Sequence, residues 1–231
     1  MWVLDKDQPM ITRYRPRTLD EVLGNENIKE FFQDKLQHPL TFPRSTFFFG
    51  DPGCGKTTLS MVLGRALGCP SEIRVKNGVK EETLYGFHHF KSKDYYRGRG
   101  MDKVDQINKF LDAYNLFGAQ IVVYLFDEAH YLDARTRTAL YPLLERPTPG
   151  VYFFFCTTDL KPFRGDEAFN ERCQEFEVRA LEDEDRKSFI KWVCKEERKN
   201  LPKDEIRRIM LESRGIPRNI LKMLDEAFVR Y

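Results

Sequence analysis

The sequence lacks most of what would mark a membrane, secreted or metal-built protein. Its five cysteines, Cys54, Cys69, Cys156, Cys173 and Cys194, are scattered, with no C-x-x-C pair. That argues against a zinc site and reads as reduced thiols, hence a cytoplasmic protein. No apolar run is longer than Ile121 to Phe126, far too short to span a bilayer, so no membrane association is expected. The first residues, Met1 to Asp7, show no basic segment followed by an apolar core, so no leader peptide is expected. Net charge is only +2, although 32% of the residues are charged. No global field recruits a polyanion, and any such contact must come from a local patch. Internal repeats and low-complexity tracts are also missing. What remains is a chain of 231 residues, 41% of them hydrophobic, which suits one large domain or a core with a small companion.

The chain is organised around Gly50-Asp51-Pro52-Gly53-Cys54-Gly55-Lys56-Thr57. An aromatic strand-like run, residues 46–49, precedes it, and Leu59, Val62, Leu63, Ala66 and Leu67 follow at helical spacing. This is G-x-x-x-x-G-K-[ST] in the strand, loop, helix context it needs. Glycines let several backbone N–H groups converge on one anion, and the following helix adds the positive end of its dipole. Lys56 then reaches the outer phosphates of a nucleoside triphosphate, and the Thr57 hydroxyl ligates Mg²⁺. The phosphate-binding set is Asp51, Pro52, Gly53, Cys54, Gly55, Lys56, Thr57 and Thr58.

A second motif answers the first. Ile121 to Phe126 is a continuous apolar run, as a strand covered on both faces requires, and it delivers Asp127 and Glu128 at its carboxyl end. Asp127 suits holding Mg²⁺, and Glu128 suits orienting and deprotonating an attacking water. A third apolar strand, Val151 to Cys156, ends in Thr157-Thr158-Asp159, where a polar side chain would lie beside the phosphate loop.

The rest reads more plainly. Residues 1–24 look like an extended arm, and residues 26–37 like a helix carrying Ile28, Phe31, Phe32 and Leu36. Glu72 to Lys76 alternates as a strand does. Residues 77–100 look least regular. They hold His88-His89, which lack the further ligands a metal would need. They also hold Lys91, Lys93, Tyr95-Tyr96, Arg97 and Arg99. On its own residues this basic stretch reads first as a solvated loop and second as a nucleic-acid contact. Helical spacing resumes over 102–114. Asp133 caps another helix, in which Pro142 predicts a kink or an early end. Residues 159–171 read as a polar loop that leads, through Arg172 and Cys173, to a short strand. Residues 182–231 read as three helices, a group too small to fold alone.

With these residues in place, the chain resembles an AAA+ ATPase, and among those the ATPase subunits of DNA-polymerase clamp loaders. Arg13-Tyr14-Arg15-Pro16 and Leu19 to Gly24 resemble the box that cradles adenine, which implies contacts from Tyr14, Arg15, Pro16, Val22 and Leu23. Arg99-Gly100-Met101-Asp102 is similar to a box of replication factor C subunits. Asp127-Glu128-Ala129-His130 and Cys156-Thr157-Thr158-Asp159 are similar to the bacterial gamma/tau subunits. The resemblance implies that Thr158 is the sensor 1 residue and that Arg218, in Gly215-Ile216-Pro217-Arg218, is the sensor 2 arginine on the same subunit's γ-phosphate. It also implies that Arg172 of Arg172-Cys173 is a finger supplied to a neighbouring subunit, although Glu171 stands where the family has serine. The catalytic set is then Lys56, Asp127, Glu128, Thr158, Arg172 and Arg218.

The implied fold is α/β: a P-loop domain over residues 1–179, with a central parallel sheet flanked by helices, then an all-helical lid over 180–231. The implied cofactors are ATP and Mg²⁺. The implied assembly is a homo- or hetero-oligomer, a pentamer or else a hexamer, around primer–template DNA. Backbone contacts would come from Lys91, Lys93, Arg97, Arg99, Lys103, Arg135 and Arg137. Family subunits continue into a collar-forming helical domain, whereas this sequence stops at Tyr231. The implied function is ATP-driven loading of a sliding clamp in DNA replication. Two alternatives stand beside it: a DNA-bound AAA+ regulator or helicase loader, and a non-hydrolysing ATP-binding scaffold.

Overall fold

Alternating aromatic strands build the core. The computed structural model describes residues 8–76, 79–117 and 121–231. Its strands are β1 (Ser45–Phe49), β2 (Ser71–Lys76), β3 (Val79–Leu84), β4 (Phe87–Phe90), β5 (Val122–Asp127), β6 (Val151–Thr157) and β7 (Gln174–Glu177). Five of them form one sheet in the spatial order β4-β5-β6-β1-β7, with every neighbouring pair parallel. β2 and β3 form a separate antiparallel pair.

The helices are α1 (Met10–Arg13), α2 (Glu26–Gln37), α3 (Lys56–Leu67), α4 (Ser92–Tyr95), α5 (Gly100–Phe117), α6 (Ala134–Glu145), α7 (Glu167–Asn170), α8 (Asp183–Glu196), α9 (Lys203–Glu212) and α10 (Pro217–Arg230). Because strand side chains alternate, each central strand serves two cores. Phe48, Val123, Leu125 and Phe154 pack on Ile28 and Phe32 of α2 and on Leu59, Val62 and Leu63 of α3. Phe47, Tyr124, Phe126, Phe153 and Phe155 pack on Val104, Ile107 and Leu111 of α5 and on Leu140 and Leu144 of α6. Rings stack from strand to strand on this second face, with Phe126 over Phe155 at 5.2 Å and Tyr124 over Phe153 at 5.5 Å. A third core joins α8, α9 and α10 and takes in Met10 and Tyr14 from the N-terminal stretch.

The expected α/β fold with a central parallel sheet is present, and three local expectations change. The arm over 1–24 is not wholly extended: α1 is one helical turn, Met10 is buried, and residues 1–7 lie outside the described residues. Residues 77–100 are not irregular. They supply β3, the edge strand β4, α4 and the turn leading into α5, with 77–78 outside the described residues. The polar loop over 159–171 contains the turn α7, whose N-cap Asp166 accepts from Phe169 N. Pro142 lies within α6, which continues to Glu145. The Asp133 cap is as expected, its Oδ1 accepting from Thr136 N at 2.7 Å.

Candidate functional site

The register of the sheet brings three strand ends to one edge. Phe49 of β1 pairs with Thr157 of β6, and Asp127 of β5 pairs with Cys156. The glycine-rich loop leaves β1 there, and α3 starts from it. A cavity of about 640 Å³ opens at that edge, walled by the loop, the stretch after α1, α8 and the start of α10. Open parallel sheets bind ligands at this end of their strands.

The loop fits an anion. Gly53 has φ 88°, a left-handed value, and a Cβ there would come within 2.9 Å of Ile216 and 3.1 Å of Arg218 Cβ. Only glycine brings the loop this close to the start of α10. Lys56 is buried, and its ammonium donates to the carbonyls of Gly50 at 2.8 Å and Asp51 at 2.9 Å. Burial lowers its pKa from the ordinary lysine value, while nearby thiols and the Glu128 and Asp127 carboxylates oppose that shift. The ammonium is thus held on the loop's own carbonyls.

The acid pair fits a hard cation beside that anion. The Thr57 hydroxyl lies 3.1 Å from both carboxylate oxygens of Asp127. Burial alone would raise the Asp127 pKa. Hydrogen bonds from His89, Thr57 and the Glu128 N–H outweigh it, so the group is held below the usual carboxylate range. An ionised carboxylate next to a hydroxyl is an oxygen donor set that suits Mg²⁺.

Glu128 takes a left-handed backbone, φ 59°, unusual for a residue with a Cβ. It precedes a single turn, Ala129–Tyr131, and its Oε2 accepts from the Thr158 hydroxyl at 3.3 Å. His130 Nδ1 lies 3.5 Å from the same oxygen and 3.1 Å from Thr157 Oγ1. Strain of this kind costs about 1–3 kcal/mol and is found where structure over-determines a functional group.

The residues singled out in the sequence sort cleanly. Tyr14, Arg15, Pro16, Val22 and Leu23 line the cavity, as do Pro52, Gly53, Cys54, Gly55, Lys56, Thr57 and Thr58. So do Asp127, Glu128, Thr158 and Arg218. Burial, with the positive charges of Arg65 and Arg218, lowers the Arg15 pKa. Asp51 does not line the cavity and contributes its backbone carbonyl. Arg172 does not line it either. Its guanidinium lies 5.3 Å from the Tyr141 ring, 3.5 Å from Glu145 Oε2, and donates to the carbonyl of Ala168.

The basic residues need two corrections. Arg137 is buried, not a surface contact: it donates to Asp166 Oδ2 at 2.7 Å and to the Leu132 carbonyl at 2.6 Å, and stacks over Phe163. It holds α6 to the α7 turn. Lys91 is exposed but lines the cavity rather than an outer loop, because β4 runs parallel to β5 and delivers residues 89–91 beside Asp127. Lys93, Arg99 and Arg135 are exposed, and Lys103 lies over the Phe90 ring. The Arg97 side chain lies outside the described residues.

Three functional neighbours escape a reading of sequence alone. His89 Nε2 lies 3.1 Å from Asp127 Oδ2. The hydroxyl of buried Tyr95 donates to the Asp127 carbonyl. His130 flanks Glu128. The only available signal was the adjacency of His88 and His89, which on a strand must face opposite ways. His88 stacks on Tyr124 at 5.0 Å, and its burial lowers its pKa.

Comparison with known families decides the matter of kinship. A model of the ATPase family associated with various cellular activities (AAA) matches residues 46–181.

The chain belongs to the AAA family.

The resemblance to clamp-loader ATPases agrees with the names of its relatives. This AAA chain is 25% identical over 233 residues to DNA polymerase III subunit gamma of Buchnera aphidicola subsp. Schizaphis graminum, covering 95% of this chain and 61% of that protein. It is 28% identical over 226 residues to replication factor C subunit 3 of Blastobotrys adeninivorans, covering 95% and 60%. The chain thus spans about three-fifths of the length of these two relatives. Among solved structures, the Thermotoga maritima RuvB Holliday junction branch migration motor aligns with a TM-score of 0.63 at 19% identity, over 90% of this chain and 63% of that one. That likeness is one of AAA fold. Among the described residues, no helix is long and apolar enough to cross a membrane.

Proposed function

We propose that this AAA protein hydrolyses ATP as an oligomeric clamp-loader-type subunit acting on DNA. The observation that carries the reading is the convergence of Lys56, Thr57, Asp127, Glu128, Thr158 and Arg218 on one cavity. Residues 1–179 form the nucleotide domain and 180–231 a lid, and the cavity lies between residues of both. Tyr14, Arg15, Pro16, Val22 and Leu23 receive the base.

Lys56 and the loop amides hold the outer phosphates. Thr57 and Asp127 would hold Mg²⁺, which would supply neutralisation of phosphate charge. Glu128 orients a water and takes its proton, with the Thr158 hydroxyl fixing that carboxylate. Arg218 meets the γ-phosphate from the lid. Arg172, held outside its own cavity by Tyr141 and Glu145, serves a neighbouring subunit. Such arginines contribute on the order of 10³–10⁵ in rate. DNA backbone contacts come from Lys93, Arg99, Lys103 and Arg135.

The names of the replication relatives support a role in clamp loading. The test is steady-state ATP hydrolysis with primer–template DNA, with and without a sliding clamp. Stimulation by the pair supports loading. Stimulation by DNA alone moves the assignment to a DNA-bound regulator or helicase loader, and tight ATP binding without hydrolysis under any condition moves it to a scaffold.

A further inference from the structure

Two exposed tyrosines flank the acid pair from separate elements. Tyr96 and Tyr131 are 47% and 45% exposed, and their rings meet edge to face with centroids 5.3 Å apart. Each follows directly on a ring that grips the site. Tyr96 follows Tyr95, whose hydroxyl donates to the Asp127 carbonyl. Tyr131 follows His130, whose Nδ1 lies 3.5 Å from Glu128 Oε2 and whose ring is 4.3 Å from that of Tyr131. The Tyr131 N–H also donates to the Glu128 carbonyl at 3.1 Å, closing the one turn that joins them. Each exposed ring is thus the chain neighbour of a residue in contact with Asp127 or Glu128.

Exposed cations stand near both rings, among the acids Asp94 and Asp133. Exposed Lys93 and Arg99 lie within three residues of Tyr96, and exposed Arg135 lies four residues beyond Tyr131. The starts of α5 and α6 also abut. A Cβ on Gly100 would fall 2.3 Å from the Thr136 hydroxyl, so Arg99 and Arg135 each sit next to that contact in the chain. Paired exposed rings with Lys93, Arg99 and Arg135 close by match the chemistry of a single-stranded nucleic acid: flat faces for unpaired bases, cations for phosphates. A duplex presents no free base face except at its ends.

We propose that Tyr96 and Tyr131 form a stacking site for unpaired nucleobases, and that occupancy of this site is relayed to Glu128 through the 128–131 turn and His130. This rests on the proposed action on DNA and adds a base-stacking subsite to the backbone contacts. It predicts a preference for single strands over duplex that basic residues alone would not give. It also predicts that the stacking component of binding persists at salt concentrations that remove the phosphate component.

The experiment uses the full chain with ATP and fluorescently labelled oligothymidylate or a matching duplex. Anisotropy reads binding, and phosphate release reads stimulation. The expected result is about a tenfold or larger loss of oligothymidylate affinity in Tyr96→Ala and in Tyr131→Leu. Duplex affinity should change far less, and Tyr131→Trp should keep both single-strand affinity and stimulation. Tyr131→Leu retains an apolar side chain, and thermal melting shows whether each variant is folded. If folded Tyr96→Ala and Tyr131→Leu bind oligothymidylate as well as the unchanged protein, or lose duplex affinity equally, the stacking site is refuted while action on DNA stands. If the unchanged protein binds neither oligonucleotide, the stacking site and the proposed action on DNA fall together; ATP hydrolysis without DNA then tests the nucleotide site separately.

Discussion

His89 Nε2 lies 3.1 Å from Oδ2 of Asp127, across two neighbouring parallel strands. That contact is one of the forces that keep the Asp127 carboxyl ionised despite its burial. Removing it should loosen the carboxylate oxygen proposed to hold Mg²⁺ without emptying the cavity. His89→Ala is expected to raise the Mg²⁺ concentration for half-maximal ATP hydrolysis about 10- to 100-fold. His89→Gln, which can still donate, should recover most of the loss. A Mg²⁺ titration checks both, and superimposed curves for the Ala variant and the unchanged protein would exclude the role.

Glu128 is held by Thr158 and His130 on a strained backbone. Glu128→Gln keeps the shape and removes the proposed base. Single-turnover hydrolysis is expected to slow by roughly 10²–10⁴, with ATP bound as tightly as before. Unchanged turnover would show that another group takes the proton.

Arg137 and Asp166 test stability rather than chemistry. Burial pushes the Asp166 carboxyl up, but donors from Tyr141, Arg137 and Phe169 outweigh that and hold it below the usual range. Asp166→Ala leaves the buried Arg137 guanidinium without its carboxylate and is expected to cost about 3–5 kcal/mol. A carboxyl whose folded value is depressed contributes stability above its unfolded value, about pH 4, and loses it as pH falls through the folded value. The melting-temperature gap between variant and unchanged protein should therefore be constant at neutral pH and narrow below about pH 4. A gap that widens in acid would contradict this.

Much of the site was legible in the sequence because its signals are local. The phosphate loop, with its strand before and helix after, needs only eight consecutive residues and their flanks. Asp127 and Glu128 announce themselves because a strand covered on both faces must be apolar up to its last residues. β4 was not legible. Phe87-His88-His89-Phe90 reads as polar, yet His88 serves as an aromatic face against Tyr124 while His89 turns to Asp127. Arg137 misled for a related reason. Its burial depends on Asp166, 29 positions later, and no spacing rule joins the two. Tyr95 and His130 also reach the acid pair only once strands and turns are assembled.

In the proposed site one subunit binds ATP in its own cavity and a neighbour supplies Arg172. Mixing two inactive variants tests it most directly. Arg172→Ala retains Glu128 but offers no finger; Glu128→Gln retains the finger but has no base. Each should bind ATP and hydrolyse almost none alone. Mixed together, the Arg172→Ala cavity can receive Arg172 from the Glu128→Gln subunit, and hydrolysis should reappear. A mixture no more active than the sum of its parts, across rising protein concentration, would contradict a site completed between subunits.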